Sequence, residues 1–142
     1  MTWTSRLAAA ALVLYLAVVA VIVLEPSNGL PSSSIEHILA ALRDNGVPAG
    51  LATFGSVEVV TNVLLFVPLT LLGSLAAPRW RWWAWLPVAA ALSTVIELVQ
   101  GAFLPARTPS VSDVAANVTG AAVGLVLAWV LSRAVRRRRP SR

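Results

Sequence analysis

The sequence predicts an all-α membrane protein with four transmembrane helices and with both termini on the cytoplasmic side. Of its 142 residues, 58% are hydrophobic and only 12% are charged, and the mean hydropathy is +0.79. Globular proteins carry about 25% charged residues, so this chain has too few of them to cover a soluble core. Long apolar stretches and an uneven distribution of arginine give the number and orientation of the helices. Residues 1–142 have room for a single domain.

The first predicted span covers residues 7–24, which contain no charged residue. Eighteen residues in a helix extend about 27 Å, close to the thickness of the bilayer core. A cleaved signal peptide is the alternative. The segment that follows the apolar run, Val-Leu-Glu-Pro at residues 23–26, lacks the small residues of a cleavage site. We therefore expect an uncleaved first helix.

A short amphipathic helix is predicted in the long connection after the first span. Its apolar residues recur at helical spacing: Ile35, Ile38, Leu39 and Leu42. Asn45 and Gly46 predict its end. A helix of this kind in an outer loop is expected to lie on the membrane surface.

Three further spans are predicted at residues 56–77, 82–104 and 111–131, followed by a basic tail at 132–142. If the amino terminus is inside, nine of the eleven arginines fall in cytoplasmic segments, and only Arg43 and Arg107 fall outside. The six tryptophans also fall near the inner interface, where indole rings anchor a membrane helix. They support the orientation that the arginines give. The arginine run at 136–139 is interpreted as an anchor; an anionic-lipid or nucleic-acid site is the alternative.

Polar side chains interrupt each of the last three spans, and this topology places them at similar depth near the outer surface. An acidic side chain at the centre of a membrane helix costs about 2.5–3.5 kcal/mol, so Glu97, which lies well inside its span, is expected to face the bundle, paired or protonated. Arg107, in the short outer loop, is the expected partner of Glu97. The predicted ligand-binding set is Glu58, Asn62, Glu97, Gln100, Arg107, Asp113 and Asn117.

A purely structural clasp between helices is the alternative to a binding site. Hydrogen bonds between membrane helices contribute only about 0.6–2 kcal/mol each, which is a weak reason to bury two acids. Two other features are interpreted as structural. Ala116, Gly120 and Gly124 recur every four residues, which predicts close helix packing, and Pro68 predicts a kink in the second span.

Three motifs in order resemble those of the VanZ-like family of small polytopic bacterial membrane proteins. They are Asn-Val-Leu-Leu-Phe-Val-Pro-Leu at residues 62–69, Ile-Glu-Leu-Val-Gln at residues 96–100, and Arg107 followed by Asp113, Asn117 and Gly120. The similarity covers about residues 58–131. The chain departs from the family at Thr70, where Gly is usual, and at Ser110, where many members have an acidic residue.

The resemblance implies a protein of the bacterial cytoplasmic membrane that acts in the cell envelope. The family is named for a protein associated with low-level resistance to the glycopeptide teicoplanin. Our leading hypothesis is an outer-face site for a membrane lipid, a lipid-linked envelope intermediate or a lipid-tailed glycopeptide. Arg107 would hold its phosphate or carboxylate. Glu97, Gln100, Asp113 and Asn117 would hydrogen-bond its sugar or amide groups.

Two other classes of function stay open at this point. One is an intramembrane enzyme that acts on a lipid-linked substrate, with Glu97 and Asp113 as its catalytic acid–base pair. The other is a small transporter, for which four helices would have to oligomerise. No cofactor is predicted. No metal site is predicted either, because the chain has no Cys and a single His. We expect lipid partners and no nucleic acid, and a homo-oligomer is left open.

Overall fold

The computed structural model describes residues 2–23, 32–103 and 109–137, and helices account for most of them. These helices are α1 (Trp3–Val23), α2 (Ser32–Asp44), α3 (Phe54–Ala76), α4 (Trp85–Phe103) and α5 (Val111–Arg137), with a 3-10 turn at Trp82–Ala84 before α4. Within the described ranges there is no β-strand. The prediction of an all-α fold is confirmed.

Among the residues that the structure describes, four helices are long and apolar enough to cross a bilayer: Trp3–Ile22, Phe54–Ala76, Trp82–Phe103 and Val111–Val135. Large apolar side chains such as Val13 and Leu14 on α1 are exposed around the bundle, as expected for a surface in contact with lipid. The last helix is longer than the predicted span because arginine continues a helix readily beyond the apolar stretch. Which side of the membrane each end faces stays a prediction.

Helix α2 is followed by a glycine in the left-handed conformation. Gly46 has φ 84°, and the N–H groups of Gly46 and Val47 donate to the carbonyls of Arg43 and Leu42 at 2.9 and 3.0 Å. The apolar face of α2 packs against the start of α3, where Leu39 is buried with Ala52 and Val57. Its position on a membrane surface stays a prediction.

The largest helix–helix contact joins α3 to α5, and glycine makes it possible. A Cβ added at Gly120 would collide with the backbone carbonyl of Val63, and one at Gly124 would collide with that of Val67. The prediction of close packing at these glycines is confirmed. Since both contacts follow the same order along both helices, α3 and α5 run parallel in constant register.

Thr70, the departure from the family pattern, lies in this α3–α5 contact. Its side chain is fully buried, and its hydroxyl donates to the carbonyl of Ala121 on α5 at 2.9 Å. Tyr15 makes a similar contact from α1, donating to the carbonyl of Leu65 at 2.6 Å. Residues of α3, α4 and α5 form an apolar core, which contains Phe66, Leu69, Ala89 and Ala121.

Helix α4 runs antiparallel to α5. Ser93 in the middle of α4 meets Asn117, whereas Glu97, further along α4, meets Ser110 just before α5. The amino-terminal ends of α3 and α5 therefore lie beside the carboxyl-terminal end of α4, and we call this the polar end. The α3–α4 connection and the last turns of α5 lie at the opposite end, called the basic end.

Candidate functional site

A layer of buried polar side chains lies between α4 and α5 near the polar end. All of them are at least nine-tenths buried: Ser93, Glu97, Gln100, Asp113 and Asn117. On α4 they are separated by four and three residues, and on α5 by four, so each set occupies one helix face. The two faces meet because α4 and α5 pack against each other.

Glu97 is joined to the start of α5. Its Oε2 accepts a hydrogen bond at 2.8 Å from the backbone N–H of Ser110. Ser110 is the N-cap of α5, because its carbonyl accepts the first helical hydrogen bond, from Val114, at 3.3 Å. The first turn of a helix carries partial positive charge, which favours the nearby carboxylates of Glu97 and Asp113.

Asn117 connects α5 to α4 more deeply in the bundle. Its Nδ2 donates to the hydroxyl of Ser93 at 2.8 Å, and both side chains are buried. The Oδ1 of Asn117 is also enclosed, and it accepts no hydrogen bond from the described residues. A buried acceptor left in this state costs about 1–3 kcal/mol, so Asn117 has bonding capacity that the described helices do not use.

An open groove of about 510 Å³ lies between the amino-terminal ends of α3 and α5. It is lined by Thr53, Gly55, Ser56, Glu58, Val59, Val60, Ser112 and Asp113. Thr53 is the N-cap of α3 and accepts from the N–H of Ser56 at 3.2 Å. Asp113 belongs both to this groove and to the buried layer, so the two features are continuous.

The structure divides the predicted set into two groups. Glu97, Gln100, Asp113 and Asn117 lie together in the buried layer. Glu58 differs: it is exposed, and it lines the groove. Asn62, one turn further along α3, is half-buried.

Arg107 lies outside the described residues, so its pairing with Glu97 stays a prediction. In the part of the chain that the structure describes, no group of three or more His, Cys, Asp or Glu residues is placed to hold a metal ion.

The sequence analysis did not include Ser93 in the site, and it noted Ser110 only as a departure from the family pattern. Ser93 precedes Glu97 by one helical turn, so the spacing that joins Glu97 to Gln100 also places Ser93 on the same face. Ser110 with Asp113 forms the Ser-x-x-Asp pattern of a helix start. The hydrogen bond from Ser110 to Glu97 has no sequence signal, because it joins two helices across a connection.

The VanZ/LLP1 family model matches residues 12–132, which is most of the chain and includes the buried layer and the groove. No curated protein and no solved structure matches the chain. A family match over this length, together with four helices able to cross a bilayer, identifies the protein as a multi-pass membrane protein that belongs to the VanZ/LLP1 family.

Proposed function

We propose that the groove at the polar end binds the head group of a lipid-linked or lipid-tailed envelope amphiphile, on the outer face of the bacterial cytoplasmic membrane. The observation that carries the proposal is the change in character along the groove. Its lining contains the hydroxyl residues Thr53, Ser56 and Ser112, and one turn further along α3 it contains Val59 and Val60, both exposed. A polar head and an apolar tail match these two parts.

The size and charge of the groove limit the kinds of head group that it can bind. Its volume lies within the range of about 300–1,000 Å³ that is usual for small-molecule sites. The two acidic residues of the lining, Glu58 and Asp113, can accept hydrogen bonds from a ligand. The groove therefore favours a head group that offers donors, such as sugar hydroxyls, amides or an ammonium group.

In this proposal the buried layer holds the groove in shape. Asp113 lines the groove and is in the first turn of α5. That turn is fixed to α4 by the hydrogen bond between Ser110 and Glu97. Glu97 is then a positioning residue that acts through Asp113 and Ser112, while Glu58 faces the ligand directly.

A bulky side chain introduced into the groove tests the proposal. A Cβ at Gly55 meets no atom within 4 Å, and Gly55 lines the groove, so Gly55→Phe is expected to fill it without disturbing the core. Gly50→Phe is the matched control, because Gly50 has the same open surroundings and does not line the groove. Glu58→Gln and Glu36→Gln form a second pair, with both glutamates exposed and only Glu58 in the groove.

The measurement is lipidomics of the protein purified in native nanodiscs, with thermal stability recorded for each variant. We expect Gly55→Phe and Glu58→Gln to lose a lipid that wild type and both controls retain, at unchanged stability. Retention of the same lipid by Gly55→Phe would contradict the proposal. Conversion of added lipid in excess over protein would instead favour an enzyme that acts on a lipid-linked substrate.

The link to glycopeptide resistance is part of the same proposal, because a lipid-tailed glycopeptide has the two parts that the groove favours. Expression of wild type in a susceptible bacterium is expected to raise the teicoplanin concentration that stops growth. Gly55→Phe is expected to remove this effect, and Gly50→Phe to keep it. If wild type leaves the inhibitory teicoplanin concentration unchanged, the groove has no role in resistance. The lipid experiment would still stand on its own.

A further inference from the structure

The basic end carries arginine without any acidic residue nearby in sequence. Arg79 and Arg81 lie in the α3–α4 connection, and Arg133 lies near the end of α5; all three are exposed. The sequence contains no Asp or Glu at residues 59–96 or 114–142. The positive charge of this end is therefore not neutralised by acidic residues of the same segments.

The packing of α3 against α5 brings these two segments to the same level. Gly120 meets Val63 and Gly124 meets Val67, so the register is the same at both contacts. Continued along both helices, this register brings Arg133 to the level of Ala76, the last residue of α3. Arg79 and Arg81 follow directly in the chain, so this register puts arginines of two segments at about the same level of the bundle.

The α3–α4 connection is held in place by tryptophan and by backbone hydrogen bonds. The ring of Trp85 covers Gly73 so closely that an added Cβ would lie 2.6 Å from it. Trp80 in turn contacts Trp85, with the ring centroids 5.3 Å apart. The N–H of Trp80 donates to the carbonyl of Ala77 at 3.0 Å, and the N–H of Ala84 donates to that of Arg81 at 2.9 Å. These contacts hold the backbone of the connection that carries Arg79 and Arg81.

Each segment also places a guanidinium over an indole ring. The distance from the Arg133 Cζ to the Trp129 ring centroid is 4.0 Å, and that from Arg81 to Trp83 is 5.3 Å. A ring that covers one face of a guanidinium leaves its edge N–H groups available to phosphate oxygens, which arginine binds in two-point geometry.

We propose that the basic end binds the anionic head groups of phospholipids in the leaflet that surrounds it. Charge complementarity supports this partner, since each arginine near an anionic membrane surface contributes about 1 kcal/mol. The tryptophans decide against nucleic acid as the occupant. Trp82 and Trp83 are exposed next to the arginines, and exposed indoles at the end of a membrane helix belong at the lipid head groups.

Lipid competition tests this proposal independently of the groove. The protein is placed in nanodiscs of equimolar phosphatidylglycerol and phosphatidylcholine, and the lipids that remain bound are counted by native mass spectrometry. Wild type is expected to retain phosphatidylglycerol in preference to phosphatidylcholine. Arg81→Gln and Arg133→Gln each remove one of these arginines. Each variant should lower that preference by about five-fold, as expected for one surface charge.

Arg43→Gln is the charge-matched control, because Arg43 belongs to α2 near the polar end and is also exposed. It should leave the preference unchanged. Ala134→Glu adds an anion at an exposed position beside Arg133 and should lower the preference without removing an arginine. An equal loss in Arg43→Gln, or no loss in the double variant Arg81→Gln/Arg133→Gln, would overturn the proposal. Displacement of phosphatidylglycerol by a short single-stranded RNA would also overturn it.

Discussion

The Glu97 carboxylate accepts a hydrogen bond from the backbone N–H of Ser110 at 2.8 Å, so a side chain of α4 holds the residue that caps α5. In many helices a side chain of the helix's own first turn bonds this N–H. Here the bond comes from a neighbouring helix. It therefore fixes the start of α5 relative to α4, and with it the position of the groove lining.

Glu97→Ala is expected to destabilise the protein, because it removes the acceptor of the Ser110 N–H within a buried layer. The expected loss is about 1–3 kcal/mol, whereas Glu97→Gln keeps a carbonyl acceptor and should lose less. Thermal unfolding in detergent measures the difference. Thr94→Ala is the control, since Thr94 is exposed on the same helix. Wild-type stability in Glu97→Ala would show that this hydrogen bond contributes nothing.

Gly120→Leu is expected to separate α3 from α5. Its Cβ would collide with the backbone carbonyl of Val63, which cannot move aside as a flexible side chain can. Val126→Leu serves as the control because Val126 is 60% exposed. We expect a lower yield and a lower unfolding temperature for Gly120→Leu only. Equal tolerance at both positions would contradict the close contact between the helices.

Thr70→Val is expected to cost about 1 kcal/mol, the usual contribution of one interhelical hydrogen bond in a membrane protein. It keeps the shape of the side chain and removes the hydroxyl that donates to Ala121. Thr119→Val is the matched control, since the Thr119 hydroxyl is exposed and donates within its own helix, to Ala115. Comparing the two unfolding temperatures isolates the contribution of the contact between helices.

The predicted orientation is testable with single cysteines at exposed alanines of the two ends. Ala49 precedes α3 at the polar end, and Ala134 lies near the end of α5. With the polar end outside, Ala49→Cys in intact cells should react with a membrane-impermeant maleimide, and Ala134→Cys should react only after lysis. The chain has no native Cys to interfere. The reverse pattern would invert the orientation.

Hydropathy was sufficient to predict the four long helices, because a bilayer requires a continuous apolar stretch of nearly fixed length. Helical spacing was sufficient to group Glu97 with Gln100 and Asp113 with Asn117. The exposure of Glu58 was not predictable in this way. It depends on how α3 is rotated against α5, which is determined by glycine contacts such as Val63 with Gly120. Periodicity gives the face of a helix but not the direction in which that face points.

Thr70 and Gly124 share one volume, since an added Cβ at Gly124 would overlap the Thr70 hydroxyl oxygen. The Val67 backbone carbonyl lies equally close to that position, so a side chain at residue 124 would force α3 and α5 apart whatever residue stands at position 70. A glycine at position 70, as is usual in the family, would remove the hydroxyl but not the carbonyl. Position 124 is therefore expected to stay glycine while position 70 varies, with the distance between α3 and α5 kept constant.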